Sequence, residues 1–325
     1  MPSSREHSTS DTGTLRELGE FGLIAKVAAD VSEHPSVVVG PGDDAAVVRV
    51  EGGDAVVSVD MFVEGVHFRR DWSTALEVGR KCAAASLADI VAMGAQPTAI
   101  VVGFAAPGEL PSQWAVQCTT GLREEAASAG AVIVGGDVVA ADRVVISVTA
   151  LGDLRGGRMV RRSGAQVGDT VAVAGRLGWA AAGLAVLSRG FRSPKALVEA
   201  HRYPQPPYGA GTAAATAGAT AMIDVSDGLI ADARHVAEAS GVAVAIDSGT
   251  LEVAEPIATA AAAYNVDPRE WVMTGGEDHA ILATFPAGAP LPSGFVAIGR
   301  VEAGDPGVIV DGHRVGAHGG HEHFR

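Results

Sequence analysis

The chain has 325 residues, 47% of them hydrophobic and 19% charged, a balance ordinary for a globular core and a length comfortable for two domains. Its formal net charge of -14, from 24 Lys and Arg against 38 Asp and Glu, argues against nucleic-acid and anionic-membrane partners. Two cysteines, Cys82 and Cys118, with no CxxC pair argue against a disulfide framework or a zinc site, and no apolar run reaches membrane-spanning length.

The polar start lacks the apolar stretch of a signal peptide, so residues 1–14 are expected to be a disordered tail and the protein cytoplasmic. Leu18, Phe21, Ile24, Ala25 and Ala28 recur at helical spacing and predict a helix over 15–29. Gly40-Pro41-Gly42-Asp43-Asp44 reads as a loop, with strands expected over 45–50 and 55–62. A long helix over 75–93 stops at Gly94, a strand covers 98–105, and a second helix over 113–129 stops at Gly130. Strands over 131–134 and 144–151 flank Gly135-Gly136-Asp137.

The stretch 152–168, dense in Gly and Arg, is the expected boundary between domains spanning 15–155 and 156–325. Beyond it come a strand over 170–174, a helix over 179–187 and a rigid extended segment, Tyr203-Pro204-Gln205-Pro206-Pro207-Tyr208. A strand over 221–225, a helix over 229–239, a strand over 243–246 and a helix around 257–263 follow, and short strands and turns end the chain. The mixture predicts an α+β fold in two domains. Neither the dinucleotide-binding nor the P-loop glycine fingerprint is present.

The acidic residues keep unusual company. Asp89 lies in Ala84-Ala85-Ser86-Leu87-Ala88-Asp89-Ile90-Val91, with almost nothing else polar. A buried carboxylate must find a cation, a donor or water; an ion pair with Arg80 or Lys81 is the plain alternative to a functional role. In Val57-Ser58-Val59-Asp60, strand alternation puts Ser58 and Asp60 on one face and the valines on the other. In Asp224-Val225-Ser226-Asp227, Asp224 and Ser226 share a face, and Asp227 stands where a helix begins and would serve as its N-cap. Gly42-Asp43-Asp44, Gly135-Gly136-Asp137 and Gly275-Gly276-Glu277-Asp278 each place a carboxylate directly after glycines that let a ligand approach the backbone.

Many carboxylates without accompanying His or Cys suit Mg²⁺, which takes hard oxygen ligands and bridges carboxylates to phosphates. Several Mg²⁺ ions around a polyphosphate would reconcile an acidic protein with an anionic ligand. Arg161-Arg162-Ser163-Gly164 is the candidate guanidinium clamp on phosphate, the alternative being a solvated basic turn.

These clusters, in this order, resemble the thiamine-monophosphate kinase family of the aminoimidazole ribonucleotide synthetase superfamily. The likeness runs from Gly19-Glu20-Phe21 to the end, and includes Glu64-Gly65-Val66-His67-Phe68 and Ala92-Met93-Gly94-Ala95-Gln96-Pro97. It implies an α/β-sandwich type of fold whose N-terminal mixed-sheet domains pair in a homodimer, followed by a C-terminal α/β domain. It implies transfer of a phosphoryl group from ATP to thiamine monophosphate, with K⁺ a candidate monovalent companion. Asp43, Asp44, Ser58, Val59, Asp60, Asp89, Asp137, Asp224 and Asp227 would hold Mg²⁺, Val59 through its carbonyl. Gly136, Asp137, Arg162 and Ser226 would contact ATP, and His67, Glu277 and His321 the thiamine phosphate. Asp60, Asp89, Asp137 and Arg162 would be the catalytic set.

Two positions depart from the family pattern: Val59 stands where Thr is common, and His321 where an aromatic ring is usual. The acceptor, a phosphate monoester with a second pKa of ~6, is largely a dianion at neutral pH and needs no general base. Direct in-line transfer is therefore expected, with Glu277 also placed to face the cationic thiazolium. A sister ATP-dependent enzyme of the superfamily and a non-catalytic nucleotide- or thiamine-phosphate-binding protein are the competing readings.

Overall fold

The computed structural model describes residues 37–39, 43, 46–50 and 53–316. The expected tail, the helix over 15–29, Asp44 and His321 lie outside the described residues. Strands β1 (Val37–Val39), β2 (Ala46–Val50), β3 (Gly53–Val63), β4 (Gln96–Ala106), β5 (Val132–Ala140) and β6 (Val145–Asp153) form one sheet in the order β1-β2-β3-β6-β4-β5. Neighbours are antiparallel except β4 and β5, which run parallel. That pair needs a crossover, and helix α2 (Ser112–Ser128) supplies it.

Helix α1 (Ala75–Ala92) starts at a capping box. The Glu77 N–H donates to the Thr74 hydroxyl at 3.3 Å, and the Thr74 N–H donates to the Glu77 carboxylate at 2.7 Å. Its Val78, Leu87 and Ile90 pack with Val56, Phe62, Ile146 and Val148 of the first sheet. Against α2 the helix comes so close that a Cβ on Gly79 would collide with the Cys118 carbonyl. Small residues throughout let α1 be buried nearly all round.

The second sheet has the order β13-β12-β9-β11-β7-β10-β8. Its strands are β7 (Thr170–Ala174), β8 (Ala221–Val225), β9 (Ala243–Ile246), β10 (Ala280–Phe285), β11 (Phe295–Glu302), β12 (Gly307–Val310) and β13 (His313–Arg314). Helices α3 (Trp179–Ser188), α4 (Lys195–Arg202), α5 (Ala210–Thr216), α6 (Leu229–Ser240), α7 (Glu255–Tyr264) and α8 (Pro268–Thr274) complete it. One sheet face buries Val171, Val173, Ile223 and Leu282 with Leu229, Ala233 and Val236 of α6. The other gathers Ala172, Ala174, Met222, Ile281 and Phe285 with Val91 and Ala92 of α1 and Ala210 and Ala214 of α5. The end of α1 therefore serves both cores and brings its Asp89 to the junction of the two sheets.

The expected α+β fold is what the chain forms, as two mixed sheets, with differences in detail. The strand expected over 131–134 instead runs on through Gly135, Gly136 and Asp137 as β5, paired with Val101, Val102 and Gly103. Those glycines are strand residues, not a turn. Helices α4, α5 and α8 were not anticipated. The first has a single buried face of Leu197, Val198 and His201, and the second consists of Ala, Gly and Thr, which carry no apolar period. The third was announced by its Asp267 cap and Pro268, signals that apolar spacing passes over. Among the described residues no helix is long and apolar enough to cross a membrane.

Candidate active site

Strand β3 fixes the first part of the site by its pleat. Val56 and Phe62 are buried under α1, whereas Val59 and Met61 are 61% and 60% exposed on the other face. Ser58 and Asp60 share the Val56 face, and the Ser58 hydroxyl donates to the Asp89 carboxylate on α1 at 2.5 Å. This hydroxyl is one partner of the half-buried acid. The cations nearest in sequence are engaged elsewhere, Arg80 with Glu125 at 3.0 Å and Lys81 with Glu277 at 3.0 Å. The Val59 side chain points away from this cluster, so only its backbone could serve it.

Strand β8 supplies the second part. It is buried throughout, and its Asp224 accepts from, or is paired with, the Nδ1 edge of His279 at 2.9 Å. Burial pushes the Asp60 carboxyl up and the neighbouring Asp224 charge adds to this, while Ser86 and His279 pull it back. Burial alone would push His279 down, but its bond to Asp224 and the charges of Asp224, Glu277 and Asp60 hold it above the ordinary imidazole value. Carboxylates from the two sheets are thus close enough to feel each other's charge, and His279, bonded to Asp224, acts on both.

The loop after α8 completes the group. Glu277 and His279 both have left-handed backbone, with φ of 67° and 53°, a conformation costly for side chains with a Cβ. Hydrogen bonds from the Glu277 N–H to the Ser226 carbonyl at 2.7 Å and from the His279 N–H to the Val225 carbonyl at 3.0 Å hold it. A Cβ on Gly276 would strike the Ser226 carbonyl, so the glycine sets this close approach. One Glu277 oxygen pairs with Lys81 at 3.0 Å, and the other lies 3.4 Å from His201 Nδ1 without a hydrogen bond to it. Burial works against the Glu277 charge, yet Lys81, His201 and His279 hold its carboxyl down at about 2. Burial and the Lys81 charge push His201 down to about 4, leaving it neutral at physiological pH.

The remaining expected residues are spread around this centre. Asp43 accepts from the Arg162 N–H at 2.5 Å, and Ser240 braces the same turn by donating to the Arg162 carbonyl at 3.0 Å. Asp227 is not the N-cap of α6; that position belongs to Gly228, which makes no side-chain cap bond. Instead the Asp227 N–H donates to Asp232 at 3.0 Å. Asp137 is exposed on β5 opposite Gly103, and beside it a Cβ on Gly136 would strike the Val102 carbonyl. His67 sits in the turn after β3, its Nδ1 accepting from the Val63 N–H at 3.0 Å and its ring edge-on to Phe62.

Among the described residues no three His, Cys, Asp or Glu side chains already stand together at metal-binding distance. The donor set nevertheless fits a hard divalent cation. Burial chiefly, and the Asp224 charge to a smaller degree, raise the Asp60 carboxyl, and a cation beside the two acids would offset both.

Comparison with known proteins decides the family. Residues 42–154 match the family described as AIR synthase related protein, N-terminal domain. The chain is 49% identical over 323 residues to thiamine-monophosphate kinase of Mycobacterium tuberculosis, covering 99% of this chain and 96% of that one. The chain belongs to the thiamine-monophosphate kinase family. The Corynebacterium glutamicum member is 38% identical over 302 residues, covering 90% of this chain and 89% of the relative. The solved structure of AaThiL complexed with AMPPCP and TMP superposes with a TM-score of 0.88 at 33% identity, covering 97% of this chain and all of that one.

In this family member, sequence reasoning missed Lys81, His201 and His279. For His279 the signal was available: it follows the Gly-Gly-Glu-Asp run directly. For Lys81 and His201 it was not, because their partner Glu277 is far away in sequence.

Proposed function

We propose that the chain phosphorylates thiamine monophosphate to thiamine diphosphate at the expense of ATP, by direct in-line transfer. The observation that carries the reading is the meeting of Ser58, Asp60 and Asp89 of the first sheet and its helix with Asp224 of the second. The likeness to a relative solved with AMPPCP and TMP, and to kinases of this name, supports the choice of substrates.

In this reading Asp60, Asp89 and Asp224 hold Mg²⁺, with Asp43, Asp44, Asp137 and Asp227 around them, and K⁺ is a candidate companion. Bound Mg²⁺ supplies charge neutralisation for the two phosphates and orientation for in-line attack. Ser58 steadies Asp89 by its 2.5 Å bond. The main chain at Gly136, with Asp137, Arg162 and Ser226, forms the ATP side. His67, Glu277 and His321 form the acceptor side. No residue is required as a base, since the acceptor is already a dianion.

The same reading divides the chain into an N-terminal domain over 15–155 and a C-terminal domain over 156–325, and makes it a cytoplasmic homodimer. Support for the dimer is the apolar outer face of the first sheet, where Val59, Met61, Val101 and Val139 are exposed.

The test is product chromatography with purified protein, ATP, Mg²⁺ and thiamine monophosphate. Thiamine and aminoimidazole-pathway substrates, EDTA, and exchange of K⁺ for Na⁺ are the controls. Thiamine diphosphate appearing only with the monophosphate and Mg²⁺ is the expected result. Folded protein that binds ATP and forms no thiamine diphosphate would end the kinase reading in favour of a sister enzyme or a binding protein.

A further inference from the structure

Glu277 meets two side chains that neither its own loop nor its own sheet provides. The Lys81 ammonium of α1 lies 3.0 Å from one oxygen, and His201 Nδ1 of α4 lies 3.4 Å from the other. The Lys81 side chain is only 6% exposed, whereas 37% of the Glu277 side chain is open. A buried ammonium demands a partner, and among the groups described here Glu277 is the one in ion-pair range of it. His201 is neutral at physiological pH, so Lys81 supplies the strongest of the charges that keep Glu277 ionised. The Glu277 backbone is fixed as well, by its 2.7 Å bond to the Ser226 carbonyl. The carboxylate is therefore held at both ends and presents one open side.

We propose that Lys81 is a positioning residue for the phosphate acceptor: it aims the Glu277 carboxylate and satisfies its charge, so that Glu277 receives the ligand as an oriented hydrogen-bond acceptor rather than as a free counter-ion. The inference rests on the reading of Glu277 as an acceptor-side contact and goes beyond it by naming what fixes that contact. Lys81 lies on the helix that carries Asp89, so the same ion pair links the acceptor side to the carboxylate cluster. A free Glu277 would attract any cationic ligand; a Lys81-paired Glu277 selects by position. Thiamine monophosphate affinity then depends on Lys81 although Lys81 does not touch the ligand.

The experiment compares wild type, Lys81→Met, Glu277→Gln and the double variant for KM and kcat toward thiamine monophosphate and ATP, with melting temperatures of each. Lys81→Met is expected to raise the KM for thiamine monophosphate about tenfold or more while the ATP KM stays within about twofold. Glu277→Gln is expected to do the same, and the double variant to be no worse than the weaker single, because both act through one contact. If Lys81→Met melts early but its folded fraction keeps the wild-type KM, the pair is merely structural and the proposal falls. If Lys81→Met does not fold, the double variant decides. Kinetics matching Glu277→Gln support the proposal, and kinetics clearly worse than Glu277→Gln overturn it by giving Lys81 a separate role. A wild type that makes no thiamine diphosphate removes the parent reading itself, a result distinct from an active wild type indifferent to Lys81.

Discussion

The Ser58 hydroxyl on β3 donates to the Asp89 carboxylate on α1 at 2.5 Å, joining the strand and the helix that supply the first half of the carboxylate cluster. A hydrogen bond to a charged group contributes about 1.5–3 kcal/mol when it is well formed. Ser58→Ala leaves Asp89 in place but less firmly oriented, so kcat for thiamine diphosphate formation should fall about tenfold. Asp89→Asn and Asp60→Asn remove the charge itself and should lower kcat by about a hundredfold or more, equivalent to about 3 kcal/mol. Steady-state assays at saturating Mg²⁺ check this, and an Asp60→Asn enzyme with wild-type turnover would overturn the metal assignment.

Much of this cluster was legible in the sequence, for a physical reason. A carboxylate amid Ala, Leu, Ile and Val, as at Asp89 and Asp224, has no cheap structural excuse, and strand alternation alone separated Ser58 and Asp60 from Val59. Apolar runs announce β2, β3, β4 and β6 of the first sheet, yet Gly135-Gly136-Asp137 reads as a break because glycines favour turns. Only the pairing partner tells that Gly136 is packed against the Val102 carbonyl. The Lys81 and Glu277 pair was illegible because nothing local distinguishes a lysine destined for a distant loop from one destined for solvent. Short helices such as α5, built from small residues, carry no periodic signal at all.

The Gly136 contact makes its own prediction. A methyl group there would overlap the Val102 carbonyl on the neighbouring strand, so β4 and β5 must separate locally. Gly136→Ala should cost about 1–3 kcal/mol of stability and raise the KM for ATP, because Asp137 shifts with the strand. Thermal melting and ATP titration read the two effects, and an unchanged melting temperature would show that the strands tolerate the methyl.

The outer face of the first sheet should hold the dimer together. Val132 and Val139 lie on the outer side of β5, the edge strand among the described residues, and are 59% and 54% exposed in the single chain. An apolar, unprotected sheet edge and face invite pairing with a second copy. Val132→Glu with Val139→Glu should convert a particle of twice the 32.8 kDa chain mass into a monomer by light scattering. A wild type that already runs at single-chain mass would sink the dimer.

Asp278 predicts a dependence of stability on pH. It is buried, accepts from the Ala180 N–H at the start of α3 at 2.9 Å, and leaves its other oxygen without a hydrogen-bond partner. Burial pushes its carboxyl to about 7 despite the backbone N–H groups of α3. The folded state therefore binds a proton that the unfolded chain, with its carboxyl near 4, has already released. This group's favourable contribution is complete at acid pH, declines between about 4 and 7, and is gone once the folded carboxyl ionises. Asp278→Asn keeps an acceptor for the Ala180 N–H and removes the titration, so the variant should gain on wild type as pH rises. The difference should reach on the order of 1–3 kcal/mol at pH 8 relative to pH 4.5. Melting curves of both proteins across that range give the answer: a gap that widens with pH supports a buried neutral carboxyl, and parallel curves would show that Asp278 is ionised in the fold throughout.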